Sequence, residues 1–282
     1  MNKVALINDL SGFGKCSLTA AIPVISVMGI QPCPLPTAIL TGQTGFGDYY
    51  CDDFTDRMDL FTENWKKMGE EFEGIYSGYL ANSLQLGKVN YFLDTFQKAD
   101  TFYLADPVMG DNGRKYQMFS EELLHGMKEL TLRANVITPN LTELCLLAEK
   151  DYSELIAHRQ DSDYMKRIQE VCEELLTKSG KEQTVIVTGI ISETADGAKV
   201  TNLAVSAQGC DSVETPYTGM CFSGTGDLFA SAICGYRLKG VSMREALYRT
   251  SYFLQDAIWD ATREEIPRNY GIPFEKYLSR LI

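Results

Sequence analysis

Short runs of β-branched and aromatic residues recur along this chain with helical stretches between most of them, and this alternation narrows the fold more than any other feature. Strands joined through helices run parallel, because each helix returns the chain to the edge where the last strand began. Strands are expected near Val4–Ile7, Leu35–Leu40, Gly74–Ser77, Thr101–Ala105, Val136–Thr138, Val185–Thr188 and Leu203–Ser206. Apolar periodicity predicts helices over Ser17–Met28, Ser83–Lys98, Tyr164–Lys178, Asp227–Lys239 and Ser242–Asp260. The segments Lys199–Ala207 and Cys210–Tyr217, separated by Gln208 and Gly209, read as a hairpin added to the sheet. No repeat, low-complexity run or Pro/Ser linker interrupts the pattern, and the polar stretch Asp151–Asp163 reads as a surface loop. The fold class is α/β with a largely parallel sheet.

A chain of 282 residues with 45% hydrophobic content fills a large core without disulfides or metals, so one domain over residues 1–282 is expected. The 38 acidic and 26 basic residues give a net charge of −12, which repels nucleic acid and anionic membrane and leaves a small molecule as the expected partner. Val4–Ile7 offers only four apolar residues before Asn8 and Asp9, and Leu18–Ile30 carries Pro23 and is too short to span a bilayer. A soluble cytoplasmic protein is expected. The eight cysteines form no CxxC pair and read as reduced thiols, mostly small buried hydrophobes, with Cys221 set apart only by its nearness to a motif described next.

Three segments carry chemistry. Ser223, Gly224, Thr225, Gly226 and Asp227 precede the apolar run Leu228, Phe229, Ala230 and Ile233, so backbone-freeing glycines sit where a helix begins. Unpaired N–H groups and the helix dipole suit such a turn to phosphate, and Asp227 beside them could take a proton from an attacking hydroxyl. Capping of the helix alone is the other reading. Asp106-Pro107-Val108-Met109-Gly110-Asp111 follows the apolar run Phe102–Leu104, at the strand end where open α/β sheets bind ligands, unless it is a plain Asp-Pro turn. Thr138-Pro139-Asn140-Leu141-Thr142-Glu143 puts an amide and a carboxylate near the same edge, suitable for water-mediated Mg²⁺ binding, with helix capping by Asn140 as the alternative. Gly12-Phe13-Gly14-Lys15-Cys16-Ser17 lacks the spacing of a Walker loop, and no Gly-x-Gly-x-x-Gly follows the first strand.

In order along the chain, Asn8-Asp9-Leu10-Ser11-Gly12-Phe13-Gly14, Leu35-Pro36-Thr37-Ala38, Thr44-Gly45-Phe46-Gly47, the two segments at Asp106 and Thr138, Val187-Thr188 and Gly224-Thr225-Gly226-Asp227 resemble the pyridoxal (pyridoxine, pyridoxamine) kinases of the ribokinase-like superfamily. The resemblance runs nearly end to end and implies a three-layer sandwich with a central largely parallel sheet flanked by helices. It implies transfer of the γ-phosphoryl group of ATP to the 5′-hydroxymethyl of a B6 vitamer. Asp227 would be the base and Gly224, Thr225 and Gly226 the anion hole. Ser11, Thr44 and Gly45 would touch the pyridine ring. Asp106, Asp111, Thr138 and Glu143 would line the Mg-ATP phosphates, with Asp106 and Glu143 toward the metal, and Thr188 and Gly189 would begin the nucleotide edge. The same resemblance implies a Mg²⁺-dependent homodimer, often responsive to K⁺, with a flap over ATP at Asp111–Tyr116 in which Arg114 and Lys115 could supply counter-charge. Hydroxymethylpyrimidine kinases of thiamine synthesis share the Asp-Pro-Val-Met and Thr-Pro-Asn segments and are the alternative. Some of those relatives carry a cysteine where this chain has Asp227.

Overall fold

The structure, a computed structural model, describes residues 2–116, 120–194 and 197–282. The first half alternates β1 (Lys3–Ser11), α1 (Ser17–Val27), β2 (Gln31–Leu40), β3 (Cys51–Asp53), α2 (Thr55–Met68), β4 (Gly74–Ser77), α3 (Leu84–Phe96) and β5 (Phe102–Ala105). A two-residue ribbon follows, β6 (Gly110–Asp111) with β7 (Arg114–Lys115), then α4 (Glu121–Arg133), β8 (Val136–Ile137), α5 (Leu141–Ala148), α6 (Tyr152–Ala157) and α7 (Tyr164–Ser179). A meander of β9 (Thr184–Thr194), β10 (Gly197–Ser206) and β11 (Gly209–Pro216) leads into α8 (Thr225–Leu238), α9 (Met243–Arg263) and two 3₁₀ turns. Among the described residues no helix is long and apolar enough to cross a membrane.

The main sheet runs in the order β11-β10-β9-β8-β5-β4-β1-β2-β3. The strands from β2 to β9 by way of β1, β4, β5 and β8 are parallel, while β3, β10 and β11 pair antiparallel at the two ends. The central strands read as unbroken apolar runs because both their faces are buried, and side chains alternate between two cores. Val4 and Leu6 of β1 pack on one face with α1, α8 and α9, whereas Ala5 and Ile7 pack on the other with α3, α4, α5 and α7. The same split divides Tyr76 from Ile75, Leu104 from Tyr103 and Ile186 from Val185 and Val187. This is the expected three-layer sandwich. β2 carries Pro32, Pro34 and Pro36, whose missing N–H groups fall on alternate residues, and β3 pairs only with Ala38–Leu40 beyond them.

Two sequence expectations change. The hairpin turn is Ala207-Gln208, with Gly209 already in β11 at a φ of +131°, so the turn sits one residue earlier than its composition suggested. Asp151–Asp163 is not a plain loop, since Asp151 caps the short helix α6 through the N–H groups of Ser153 and Glu154. Helices α2 and α4 fill two of the gaps between the expected strands, and their bounds do not stand out in the sequence because charged residues leave each only a narrow buried face. An aromatic cluster closes this side of the sandwich: Phe92 meets Phe96, Phe72 and Trp65 at centroid distances of 4.7, 5.9 and 6.0 Å. Because Phe92 is fully enclosed, Phe92→Ala should cost about 3–5 kcal/mol in urea unfolding. A loss below about 1 kcal/mol would mean that the cluster collapses freely onto the space left behind.

Candidate active site

The order of strands reverses between β1 and β4: the chain first moves outward from β1 to β2 and β3, then returns to the other side of β1. The carboxyl edge at such a reversal leaves a crevice that no connection covers. Here it opens into a cavity of about 720 Å³. The N-termini of α1 and α8 both point at it, since Cys16, Ser17 and Gly224–Asp227 all line the wall.

Gly224 holds the entry to α8. Its φ is +81°, and a Cβ on it would lie 1.9 Å from the Lys15 carbonyl oxygen, so only glycine lets the turn pack on the start of α1. The N–H groups of Thr225 and Gly226 find no acceptor among the described residues and sit on the cavity wall, in the first turn of a helix whose dipole adds positive potential. Lys15 turns away, its Nζ 2.8 Å from Glu275 and above the Phe274 ring, which agrees with the absence of a Walker loop.

Asp227 is half-buried, its remaining surface open to the cavity. Asn8 Nδ2 donates to Asp227 Oδ1 at 3.2 Å and the Ser17 N–H donates to the same carboxylate. Burial pushes its carboxyl up to about 6, the donors from Ser17 and Asn8 oppose this, and the charge of Asp9 adds to it. Asn8 is a residue whose role the sequence did not reveal: its Oδ1 also accepts the N–H groups of Asp9 at 3.0 Å and Tyr79 at 2.9 Å. Ser17 begins α1 at a φ of +49°, an uncommon conformation for a residue with a side chain.

On the β5 and β8 side, Thr138 Oγ1 donates to Asp106 Oδ1 at 2.9 Å. Burial and the nearby charge of Asp227 push Asp106 up to about 7. Glu143 accepts from Met109 N at 3.1 Å and Asn140 N at 2.8 Å, and Asn140 Oδ1 accepts from Glu143 N at 3.0 Å. Capping of α5 and a place in the cavity are therefore both true of Glu143. Burial and the charge of Asp106 raise its carboxyl well above the usual range, against the pull of those backbone donors. Among the described residues no three His, Cys, Asp or Glu converge as direct metal ligands. The pair Asp106 and Glu143 instead suits a hydrated cation that arrives with a polyphosphate.

The ribbon β6–β7 turns through Asn112 and Gly113 at φ values of +51° and +75°. Asp111, Asn112 and Tyr116 line the cavity, whereas Arg114 and Lys115 are exposed and Lys115 pairs with Glu121. The cavity's guanidiniums come from elsewhere: Arg268 Nη2 is 3.2 Å from Asp111 Oδ2 and Arg159 Nη2 is 3.1 Å from Glu193. Ser11 and Thr44 line the opposite half. Gly45 does not; its N–H donates to Gln43 Oε1 at 2.8 Å and its carbonyl accepts from Asn269 Nδ2 at 2.5 Å. Thr188 and Gly189 border both the cavity and an adjoining recess of about 140 Å³ walled by Val200, Phe222, Phe229, Leu254 and Ile258. Of the cysteines, Cys16, Cys145, Cys172 and Cys234 are buried, while Cys221 is exposed where cavity and recess meet, its Sγ 3.6 Å from the Tyr217 hydroxyl.

Burying these carboxylates costs stability in a pH-dependent way. Asp106 shifts from 3.8 to about 7 on folding, so between those values the folded chain keeps protons that the unfolded chain has released. Stability then falls as pH rises through the window. Asp106→Asn should be more resistant to thermal unfolding than the parent at about pH 8, by on the order of 1–3 kcal/mol, and equal to it near about pH 4. An unchanged difference across that range would show that the carboxylate carries no burial cost.

A family model described as phosphomethylpyrimidine kinase matches residues 69–269. A pyridoxal kinase of Actinobacillus succinogenes is 29% identical over 272 residues, spanning 92% of this chain and 88% of the relative. A Bacteroides thetaiotaomicron protein assigned provisionally as a phosphomethylpyrimidine kinase, crystallised with pyridoxal, is 36% identical at a TM-score of 0.90, over 99% of this chain and 95% of that one. The pyridoxal kinase of Leishmania donovani, in complex with ADP and pyridoxamine, shares the fold at a TM-score of 0.79 and 22% identity, over 99% of this chain and 95% of that one. The chain belongs to the family described by the phosphomethylpyrimidine kinase model, and it is similar over most of its length to pyridoxal kinases of the ribokinase-like fold.

Proposed function

We propose that this protein transfers the γ-phosphoryl group of ATP to the 5′-hydroxymethyl of a B6 vitamer, with residues 1–282 acting as one kinase domain. The observation that carries the reading is the placing of Asp227: a carboxylate lifted to about 6 in the first turn of α8, beside the free N–H groups of Thr225 and Gly226. The relatives that hold pyridoxal, or ADP with pyridoxamine, support the choice of substrates.

The charge of Asp227 acts on Asp106, and that of Asp9 acts on Asp227, so Asp227 stands between the half of the cavity containing Ser11 and Thr44 and the half containing Thr138 and Glu143. In this reading the vitamer lies in the first half with its hydroxymethyl toward Asp227. The triphosphate lies in the second, and adenine enters the apolar recess beyond Thr188 and Gly189. Asp227 accepts the hydroxyl proton as the oxygen attacks the γ-phosphorus, ADP leaves, and the amides of Gly224–Gly226 stabilise the charge on the phosphoryl oxygens. A carboxylate near 6 is ionised at neutral pH yet basic enough to draw the proton. Magnesium entering with ATP would neutralise phosphate charge, and Asp106 and Glu143 would hold its water shell.

Asp227→Asn should lower kcat by roughly 10²- to 10⁴-fold while binding of ATP and vitamer persists. In the parent, kcat/KM should fall as pH drops through about 6, because the base becomes protonated. Near-parental turnover in the variant would remove Asp227 from that role. Because the matching family model is described by the pyrimidine reaction, coupled ADP-release assays should compare pyridoxal, pyridoxamine and pyridoxine with hydroxymethylpyrimidine. A higher specificity constant for the pyrimidine would overturn the choice of acceptor and leave the kinase chemistry standing.

A further inference from the structure

One carboxylate in the cavity has no task in the chemistry above. Asp9 lies near the end of β1, is 6% exposed and lines the cavity with Ser11, Tyr49 and Tyr79. Ser11 Oγ donates to Asp9 Oδ2 at 2.7 Å, and the Ser17 hydroxyl donates to the same group. The hydroxyl proton of Ser11 is therefore spent on Asp9 rather than on a ligand. Burial raises the Asp9 carboxyl and only these hydroxyls and its own N–H oppose it, with no cation among the influences on it. The two guanidiniums on the cavity wall are engaged elsewhere, by Glu193 and Asp111. A buried anion without a cationic partner is expensive to keep and repels the base it faces, since the charge of Asp9 is one of the causes that lift Asp227.

We propose that Asp9 is a specificity-determining residue that pairs with a positive nitrogen on the acceptor, so the site selects a cationic ring compound over a neutral one of the same shape. This rests on the kinase reading and names the charge of its acceptor. A B6 vitamer offers that nitrogen in two places: the ring nitrogen, protonated as a pyridinium, and the exocyclic ammonium that pyridoxamine alone carries. Tyr49 and Tyr79 also line the cavity, and aromatic rings favour a cation that lies over them. Arrival of the cation would neutralise Asp9 and relieve its repulsion of Asp227 at the moment the acceptor hydroxyl is delivered.

The test compares the parent with Asp9→Asn, which keeps the shape and can still accept from Ser11. Three acceptors are used: pyridoxamine, pyridoxine, and the carbocyclic analogue of pyridoxine with CH in place of the ring nitrogen. A hydrogen bond to a charged group predicts that the variant raises KM for a cationic acceptor by roughly 10- to 100-fold and leaves KM for ATP unchanged. A loss confined to pyridoxamine assigns the ammonium; an equal loss for pyridoxamine and pyridoxine, spared by the carbocyclic analogue, assigns the ring nitrogen. Equal KM values in parent and variant, or an equal loss for the carbocyclic analogue, would overturn the proposal. Should the variant not fold, calorimetric binding to the parent decides: the carbocyclic analogue must bind more weakly than pyridoxamine, and equal affinity for all three acceptors refutes the pairing. If the parent binds the vitamers with this preference yet phosphorylates none of them, the kinase reading fails while the charge assignment stands.

Discussion

The side chain of Asn8 is the contact on which the rest of the site depends. At the point where the strand order reverses, its amide oxygen takes the N–H groups of Asp9 and Tyr79 and so joins the ends of β1 and β4. Its amide nitrogen reaches across to Asp227. A Cβ on Gly78 would lie 2.5 Å from that nitrogen, so the neighbouring backbone is cleared for it by a glycine. One buried amide thus fixes the distance between the sheet edge and the first turn of α8, two parts of the chain 219 residues apart. Without it, the end of β1 and the first turn of α8 would be elements that merely pass near each other.

Around that contact the cavity concentrates carboxyl groups. Asp9, Asp106, Glu143 and Asp227 are held by hydroxyls and backbone N–H groups, and Asp227 also by the amide of Asn8. Neutral donors keep a carboxylate in place without cancelling its field. Such an arrangement is poor for the stability of the empty fold and suited to ligands that bring their own positive charge, whether a hydrated metal ion or a ring nitrogen. The sandwich tolerates the cost because both faces of the central strands are already closed by large apolar cores.

Much of this was legible in the sequence. The central strands stood out because burial on both faces leaves no polar residue to blur them, and Gly74–Ser77 was found to the residue. The turn before α8 was legible because a glycine pair before an apolar helix has few other uses. What escaped was of another kind. Helices α2 and α4 were expected only as fillers of the gaps between strands, and their bounds escaped because each covers the core with a narrow stripe. Arg268 lies far from every motif and reaches the cavity only because the chain's end folds back: Arg268 O accepts the Ser223 N–H, and Asn269 holds Gly45. Arg114 and Lys115 looked like the flap's counter-charges because sequence shows proximity along the chain and not direction in space.

The prolines of β2 have a consequence for assembly. A sheet edge normally recruits another strand through a row of unsatisfied N–H groups, and Pro32, Pro34 and Pro36 leave that row empty beyond the short cover of β3. Strand addition is thereby barred along this margin. Any molecule that docks there must do so by side-chain fit, which can be specific and reversible, instead of by backbone ladders, which any extended polypeptide could form.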